Sequence, residues 1–261
     1  MPLPCRPRAS SDNVTSAAVP NTVTVEISDK RPAGVSSSSG MAMLSAASAQ
    51  LGPSPVHSGS ATLHGMEQQA HVIRPAQADD GAAVAAVYGP YVRNTPVSFE
   101  VEPPKAVAMT ERITGTLGTH PWLIAERQGV VIGFAYAGKH SQRAAYRWTV
   151  DVTVYVRDSE RRTGVGRQLY QALLAALRLQ GFRSAFAEIV LPNPGSVRLH
   201  EAMGFKHIGV HNDIGHKLGR WHDIGYWRLG LADGTAPPNE PVPFAAFRHT
   251  SAFAELLAKA T

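Results

Sequence analysis

A carboxylate and a glycine-containing turn with basic residues lie close together in the sequence and could act on an anionic molecule. Asp151 precedes Arg161 by ten residues, and Arg161, Gly164 and Gly166 fit the spacing Arg-x-x-Gly-x-Gly. Small residues let a backbone fold tightly around an anion, and the first N–H groups of a following helix have no partners of their own. The turn therefore predicts a pyrophosphate site at a helix N-terminus.

The spacing of this turn differs from that of two other phosphate-binding loops. A P-loop continues with Gly-Lys-Ser/Thr, whereas Gly166 is followed by Arg167 and Gln168. A dinucleotide fingerprint has another glycine spacing and an acidic residue about 20 positions further on. Taken alone, the segment also fits an ordinary strand-to-helix turn.

Asp151 lies on a predicted strand, residues 149–156, in which valines alternate with other residues. The valines at 150, 152, 154 and 156 share one face, which is expected to be core. The opposite face carries Asp151 and is expected to look into a cleft or solvent. An amine must lose a proton before it attacks a carbonyl carbon, and Asp151 could accept that proton directly or through one water. The alternative is a solvated aspartate paired with a nearby arginine.

A second polar group surrounds a helix predicted at residues 196–203. Asn193 and Ser196 bracket its start, and His200 lies one turn beyond Ser196 on the same face. Gly204 ends the helix, and Phe205 begins a strand. Neutral histidine can donate or accept a proton near pH 7, so His200 could do acid or base work. A lone helical histidine is more often structural.

Both segments resemble the GCN5-related N-acetyltransferase (GNAT) superfamily. Residues 161–166 are similar to its coenzyme A pyrophosphate loop, and residues 193–205 to its pattern Asn-x-x-Ala/Ser-x-x-x-Tyr-x-x-x-Gly-Phe. In that superfamily the asparagine binds the pantetheine arm, and the tyrosine commonly protonates the departing thiolate. His200 occupies the tyrosine position. The resemblance implies that Asp151 is the base and His200 the acid near the thioester, although their roles could be exchanged.

A narrower resemblance covers residues 72–231, which look like the phosphinothricin N-acetyltransferase family. It is most specific in the run Gly-Arg-Trp-His-Asp-Ile-Gly-Tyr-Trp at 219–227, and it includes 73–76, 121–126, 133–138, 145–151, 153–156 and 192–205. It implies an α/β (α+β) GNAT acyl-CoA N-acyltransferase fold, a mixed central sheet of about seven strands with four helices. The implied activity moves acetyl from acetyl-coenzyme A (acetyl-CoA) to the α-amino group of phosphinothricin, methionine sulfoximine, methionine sulfone or a similar small amino acid.

The resemblance also assigns binding residues. Cofactor contacts are expected at Val154, Tyr155, Val156, Arg161, Arg162, Thr163, Gly164, Val165, Gly166, Arg167, Asn193 and Ser196. Substrate contacts are expected at Arg143 and Tyr146. Arg143 stands where the family has a basic residue and could bind a carboxylate through two hydrogen bonds, or it could be a solvated loop arginine. A homodimer is expected with the C-terminal strands near the contact, supported weakly by aromatic residues at 221, 226 and 227.

The sequence departs from the family at two places. The family usually has glutamate where this chain has Asp151, and aspartate withdraws the carboxylate by about 1.5 Å. A bridging water could restore contact. Residues 139–143 also differ from the family's usual run. These departures bear on rate and preferred substrate more than on fold.

Composition narrows the class of protein. The formal net charge of +5 suits an anionic cofactor. The sequence has no basic run with interleaved aromatic residues, so nucleic acid binding is not expected. The only cysteine, Cys5, excludes an internal disulfide framework and favours a reducing, cytoplasmic compartment. There is no apolar run of about 18 residues, so no membrane span is expected, and no secretory signal is evident.

The chain is expected to divide into three parts. Residues 1–70, rich in Ser, Gly, Ala and Pro, predict a disordered extension. It is either a genuine tail or the result of a start site placed too early, since Met41, Met43 and Met66 are other starts. Residues 71–231 form the catalytic domain, with the predicted order β-α-α-β-β-β-α-β-α-β-β. Residues 232–261 form a tail with a short surface helix at 252–259.

Other functions are consistent with parts of the sequence. Because Asp151 stands where the family has glutamate, a coenzyme A-binding regulatory module with little turnover is one alternative. An acetyltransferase of a protein N-terminus or a polyamine would need an open groove or an acidic pocket, and no acidic cluster is evident in the substrate loops. Four histidines at 207, 211, 216 and 222 lie in a predicted strand and loop region, and no Cys or carboxylate completes a tetrahedral set with them, so no metal is expected. The 221–223 run is expected near the cleft or the dimer contact.

Overall fold

The computed structural model describes residues 70–234 and 239–260, so the predicted N-terminal extension lies almost entirely outside the described residues. The strands are β1 (Val72–Pro75), β2 (Trp122–Arg127), β3 (Val130–Lys139), β4 (Thr149–Val156), β5 (Ser184–Leu191), β6 (Lys206–Lys217) and β7 (Arg220–Gly230). The described α-helices are α1 (Gly81–Asn94), α2 (Ala106–Leu117), α3 (Val165–Gln180), α4 (Pro194–Ala202), α5 (Phe244–Phe247) and α6 (Ser251–Ala260). None of these helices has both the length and the apolar character needed to cross a bilayer.

The seven strands form one mixed sheet in the order β1-β2-β3-β4-β5-β7-β6. All neighbouring strands are antiparallel except β4 and β5, which are parallel. The predicted seven-stranded mixed sheet and the predicted element order are confirmed. Helices α1–α4 fall within the predicted domain, and α5 and α6 follow it.

Strands β4 and β5 pair over only three residues. Thr149–Asp151 are aligned with Ser184–Phe186, and residues 152–156 have no partner on the β5 side among the described residues. Because β4 continues beyond the last pair, the two strands separate and open a gap in the middle of the sheet. Asp151 lies at the closed end of this gap, and the turn that follows β4 lies at its open end.

Helix α3 packs on one face of β4, and α1 packs on the other, with α2 beside α1. The face of β4 with the four valines lies in the larger core cluster, as predicted, and packs there with Leu169, Leu173 and Leu177 of α3. The opposite face was predicted to meet a cleft or solvent, and for most of its length this is wrong. Tyr155 and Thr153 are 1% and 2% exposed, because aromatic residues of α1 and β3 cover this end of the face. Asp151, on the same face, lies where that cover stops.

The C-terminal segment contributes to the main core. The predicted short helix corresponds to α6, and α5 is an additional turn. Phe244, Phe247 and Phe253 are buried in the cluster that includes α3. A pair of hydrogen bonds fixes the segment to the end of α3, with Val242 N donating to Gln180 O at 2.8 Å and Gln180 Nε2 donating to Val242 O at 2.8 Å. The predicted tail is therefore a packed part of the fold.

Candidate active site

The gap between β4 and β5 presents backbone, not side chains, along Val154–Val156. All three side chains are buried; the Tyr155 ring packs edge-on against those of Tyr88 and Tyr91 at 4.9 and 5.0 Å. The Tyr91 hydroxyl donates to Val156 O at 2.6 Å, which joins α1 to the end of β4. An extended ligand could reach these residues only by pairing with their backbone, as an added strand does.

The turn at the open end of the gap has the shape of an anion cradle. Gly164 adopts φ +93°, and Arg162 adopts φ +64°. The first hydrogen bond of α3 runs from Gln168 N to Gly164 O at 3.0 Å, so the N–H groups of residues 165–167 have no intrahelical acceptor. A Cβ built on Gly164 would meet no atom within 4 Å, so the space in front of the turn is open.

Side chains below the turn hold its shape. The Thr163 hydroxyl donates to Glu160 O at 2.7 Å, and the Glu160 carboxylate accepts from Arg127 at 2.7 Å. The Arg161 Nε lies 2.9 Å from Asp158 Oδ1, and the guanidinium lies 5.6 Å from the Tyr91 ring centroid. Arg161, a predicted cofactor contact, is thus directed back against Asp158 and α1.

His140 was not among the predicted site residues, but it contacts Asp151 directly. The His140 Nδ1 and Asp151 Oδ1 are 2.7 Å apart, and the second oxygen, Asp151 Oδ2, is buried without a hydrogen-bond partner in the described ranges. Burial raises the pKa of Asp151, and the bond from His140 opposes that rise. The same bond raises the pKa of His140 against the effect of burial.

A second carboxylate faces the same side of the sheet. The His140 ring stacks on Phe186 of β5 at 4.7 Å between centroids, and Glu188 lies two residues further along the same face. Burial and the neighbouring Asp151 charge raise the pKa of Glu188 to about 7, whereas His140 lowers it. A signal for Glu188 was present in the sequence, because it is the only charged residue of β5. His140 gave no comparable signal because it lies in an irregular segment.

Asn193 lies where an amide could meet a cofactor. It caps α4, with its Oδ1 accepting from Ser196 N at 3.1 Å. Its Nδ2 is buried and has no hydrogen-bond partner within the described parts of the chain, so one donor is available to a ligand. The Ser196 side chain is fully buried and its hydroxyl lies 3.2 Å from His200 Nδ1, so it presents no surface to a cofactor.

His200 is in the core, not at the surface of a cleft. It is 0% exposed, its Nδ1 lies 2.8 Å from Ser196 O, and its Nε2 lies 3.0 Å from the Tyr170 hydroxyl. Burial lowers its pKa to about 4, so the ring is neutral at pH 7. A neutral ring that donates from Nδ1 to the carbonyl accepts from Tyr170 at Nε2. Neither nitrogen is left for a thioester, which does not fit the predicted acid role.

We expect His200 to make stability depend on pH. In the unfolded chain its pKa is near 6.5, so below that value the unfolded state binds a proton that the folded state does not. Stability should therefore fall as pH falls from 7.5 to 5.5, by about 1 kcal/mol from this residue. Urea unfolding should show a shallower loss for His200→Gln than for the unchanged chain, in which buried His120 contributes with the same sign. Equal losses would contradict a neutral, buried His200.

The two predicted substrate residues lie in the loop between β3 and β4. Tyr146 is partly exposed, and its ring centroid lies 5.7 Å from that of His140, so it borders the Asp151 site. Arg143 is exposed and lines a surface cleft with Lys139, Arg147 and the C-terminal segment at 240–243. Asp151 does not line that cleft. The structure thus joins Tyr146 to the acid–base group, whereas Arg143 is not in contact with it.

The histidines of the β6–β7 hairpin have other neighbours. His207, His211 and His216 each pack beside an aromatic ring, and buried His222 places Nε2 2.9 Å from Lys217 O. In the ranges that the structure covers, no three His, Cys, Asp or Glu side chains are arranged to hold a metal ion.

Strands β4 and β5 thus separate after a short paired stretch, with a cradle-shaped turn at one end of the gap and a buried carboxylate at the other. Residues 73–225 match the family model described as an acetyltransferase (GNAT) domain. The chain belongs to the GNAT acetyltransferase family.

Relatives with assigned activities cover the same region. A phosphinothricin N-acetyltransferase of Streptomyces viridochromogenes is 43% identical over 171 residues, which are 66% of this chain and 93% of that protein. An L-methionine sulfoximine/L-methionine sulfone acetyltransferase of Pseudomonas aeruginosa is 34% identical and covers 64% of this chain and 98% of its own. The structure of a phosphinothricin acetyltransferase from Sinorhizobium meliloti in complex with AcCoA matches with a TM-score of 0.63 and 33% identity, over 68% and 98% of the two chains.

Proposed function

We propose that this chain transfers acetyl from acetyl-CoA to the α-amino group of a small amino acid of the phosphinothricin, methionine sulfoximine and methionine sulfone class. The observation that carries the proposal is the gap between β4 and β5, with Asp151 at its closed end and the anion cradle at its open end. The names of the relatives support the substrate class.

The residues present fit acetyl-CoA. The N–H groups of residues 162–167 would hold the pyrophosphate, and the backbone of Val154–Val156 would pair with the pantetheine amides. The unpartnered Asn193 Nδ2 would donate to the same arm. The bound thioester supplies an activated acetyl carbon. Ser196 and Arg161 would support the site without contacting acetyl-CoA, because their side chains are turned into the protein.

The chain's own chemical task is to remove a proton from the substrate ammonium. Asp151 and His140 are the acid–base group nearest the closed end of the gap, and Tyr146 and Glu188 flank it. The buried His200 positions α4 through its bonds to Ser196 and Tyr170. The departing thiolate takes its proton from the nitrogen that has just been acylated or from water.

Glu188 favours amines with a second positive charge as the alternative substrate class. When ionised, a second carboxylate on the same face as Asp151 would disfavour an anionic side chain and attract a cationic one. A screen of thiol release from acetyl-CoA should include phosphinothricin, methionine sulfoximine, methionine sulfone, lysine and spermidine. Turnover that is highest with the first three supports the proposal. Turnover confined to spermidine would move the activity to polyamines, and tight binding of acetyl-CoA without thiol release would indicate a regulatory module.

We also propose a homodimer formed through β6, in the cytoplasm. β6 ends the sheet, and exposed apolar side chains on it and on the adjoining turn and β7 include Ile208, Ile214, Leu218 and Trp221. A long apolar edge strand is prone to pair with other chains and aggregate unless it is covered.

Light scattering at micromolar concentration should give twice the 27.9 kDa chain mass. The double variant Ile208→Lys/Ile214→Lys should give the single mass, because the added charges would be buried at the contact. Val72→Lys, on the opposite edge strand β1, is the matched control. A single mass for the unchanged chain would contradict the dimer.

A further inference from the structure

The Asp151 carboxylate has no oxygen that is both solvent-accessible and uncommitted. Its Oδ1 is bonded to His140, and its Oδ2 is buried. The Asp151 side chain is 10% exposed, whereas that of His140 is 29% exposed. A substrate ammonium that enters from solvent would therefore meet the imidazole before it met the carboxylate.

The His140 ring is held in one orientation. It stacks on Phe186 at an interplanar angle of 24°, has Tyr146 at 5.7 Å on another side, and places Nδ1 on Asp151. An ionised carboxylate can only accept, so a neutral ring donates from Nδ1 and carries its lone pair on Nε2. Within the described residues Nε2 has no hydrogen-bond partner. A free ring nitrogen with an orienting carboxylate behind it is the arrangement of a general base.

We propose that His140 Nε2 accepts the ammonium proton and that Asp151 is a positioning residue that fixes the tautomer and stabilises the imidazolium. This inference rests on the proposed acetyl transfer. It also explains why aspartate suffices where the family has glutamate, because the imidazole spans the distance that the missing methylene leaves open.

The proton and electron balance is complete with these groups. The ammonium gives one proton to His140 Nε2, and the freed nitrogen lone pair attacks the thioester carbonyl carbon. When the tetrahedral intermediate collapses, the C–S bond breaks and the thiolate leaves with the electron pair. The nitrogen loses its second proton to the thiolate, and the imidazolium returns its proton to solvent through its exposed edge.

The charged groups around His140 set the sign of the pH dependence. Asp151 on β4 and Glu188 on β5 both raise the pKa of His140, and burial lowers it, with a net rise. Tyr146 of the loop and Tyr226 of β7 are further titratable groups nearby, and Lys139, the last residue of β3, directly precedes His140. Since only the neutral ring is a base, kcat/KM should rise with pH through the pKa of His140.

His140→Asn tests the assignment, because asparagine can still donate to Asp151 but lacks Nε2. We expect kcat to fall by roughly 10²–10⁴-fold and the acidic limb of the pH profile to disappear, while acetyl-CoA affinity and the urea midpoint stay close to those of the unchanged chain. His140→Gln gives a second variant if His140→Asn folds poorly. His249→Asn, in an exposed turn, is the control and should keep the profile. In Asp151→Asn the residual acidic limb should move to lower pH, because the carboxylate no longer raises the pKa of His140.

The outcomes separate this inference from the proposed function. Thiol release by the unchanged chain, together with a wild-type rate and acidic limb in His140→Asn, would overturn the role of His140 and leave acetyl transfer intact. An acidic limb lost in Asp151→Asn but kept in His140→Asn would make Asp151 the base. Absence of thiol release from the unchanged chain with every amine would overturn both.

Discussion

Replacement of Asp151 by asparagine is expected to lower kcat by roughly 10²–10⁴-fold. The substitution keeps the shape of a buried side chain but removes the charge that fixes His140 through the 2.7 Å contact. Acetyl-CoA affinity should be nearly unchanged, because the cradle lies at the opposite end of the gap. Steady-state thiol release with saturating amine, paired with acetyl-CoA titration calorimetry, measures both quantities.

Glu111→Gln is the matched control for this variant. Glu111 is an exposed carboxylate on α2, so its neutralisation changes the net charge by the same amount without touching the gap. Full turnover in Asp151→Asn would show that the buried carboxylate takes no part in the chemistry. A parallel loss in Glu111→Gln would show that net charge, and not the site, governs the rate.

Gly164→Asp is expected to weaken acetyl-CoA binding by a factor on the order of 10². At φ +93° an aspartate is strained, and its carboxylate would enter the open space in front of the helix N-terminus. There it would compete with the pyrophosphate for the unpaired N–H groups and repel its charge. Titration calorimetry with acetyl-CoA gives the change in affinity directly.

Gly129→Asp separates the anion site from backbone strain. Gly129 also has a positive φ, +75°, and open space around its Cβ position, but it lies in the turn between β2 and β3. The two variants should lose similar stability, and only Gly164→Asp should lose affinity. Unchanged affinity in Gly164→Asp would place the pyrophosphate elsewhere.

Local patterns determined most of the elements that the sequence predicts correctly. Residues 149–156 alternate with a period of two, which is typical of a strand. The leucines of α3 recur every four residues, which is typical of a helix. Gly164 and Gly181 mark the ends of α3, and both have the positive φ that favours glycine. The mixed sheet of about seven strands was expected from the family resemblance, since periodicity does not say which strands pair.

Long-range contacts explain what the sequence could not show. His140 and Glu188 belong to different segments, and they share a site only because β5 pairs with β4 at Asp151. The face of β4 opposite its valines is buried because α1 and β3 supply aromatic partners. Residues 232–261 were predicted to be a tail with a surface helix, whereas three phenylalanines anchor this segment in the core.

His200 shows that a residue's role cannot be carried over from a superfamily by its position in the sequence alone. It occupies the place of the superfamily's tyrosine, but the neighbouring Tyr170 and the Ser196 carbonyl engage both of its nitrogens. A motif identifies the position in the chain, and the packing around that position decides what the side chain can do.

Product analysis shows directly whether this chain transfers acetyl to an α-amino nitrogen. The protein should be incubated with acetyl-CoA and methionine sulfoximine or phosphinothricin, and the product examined by mass spectrometry and NMR. We predict that one acetyl group is added, on the α-nitrogen. This product should be lost when His140→Asn or Asp151→Asn replaces the unchanged chain under the same conditions. Unmodified amino acids in the presence of bound acetyl-CoA would contradict the account.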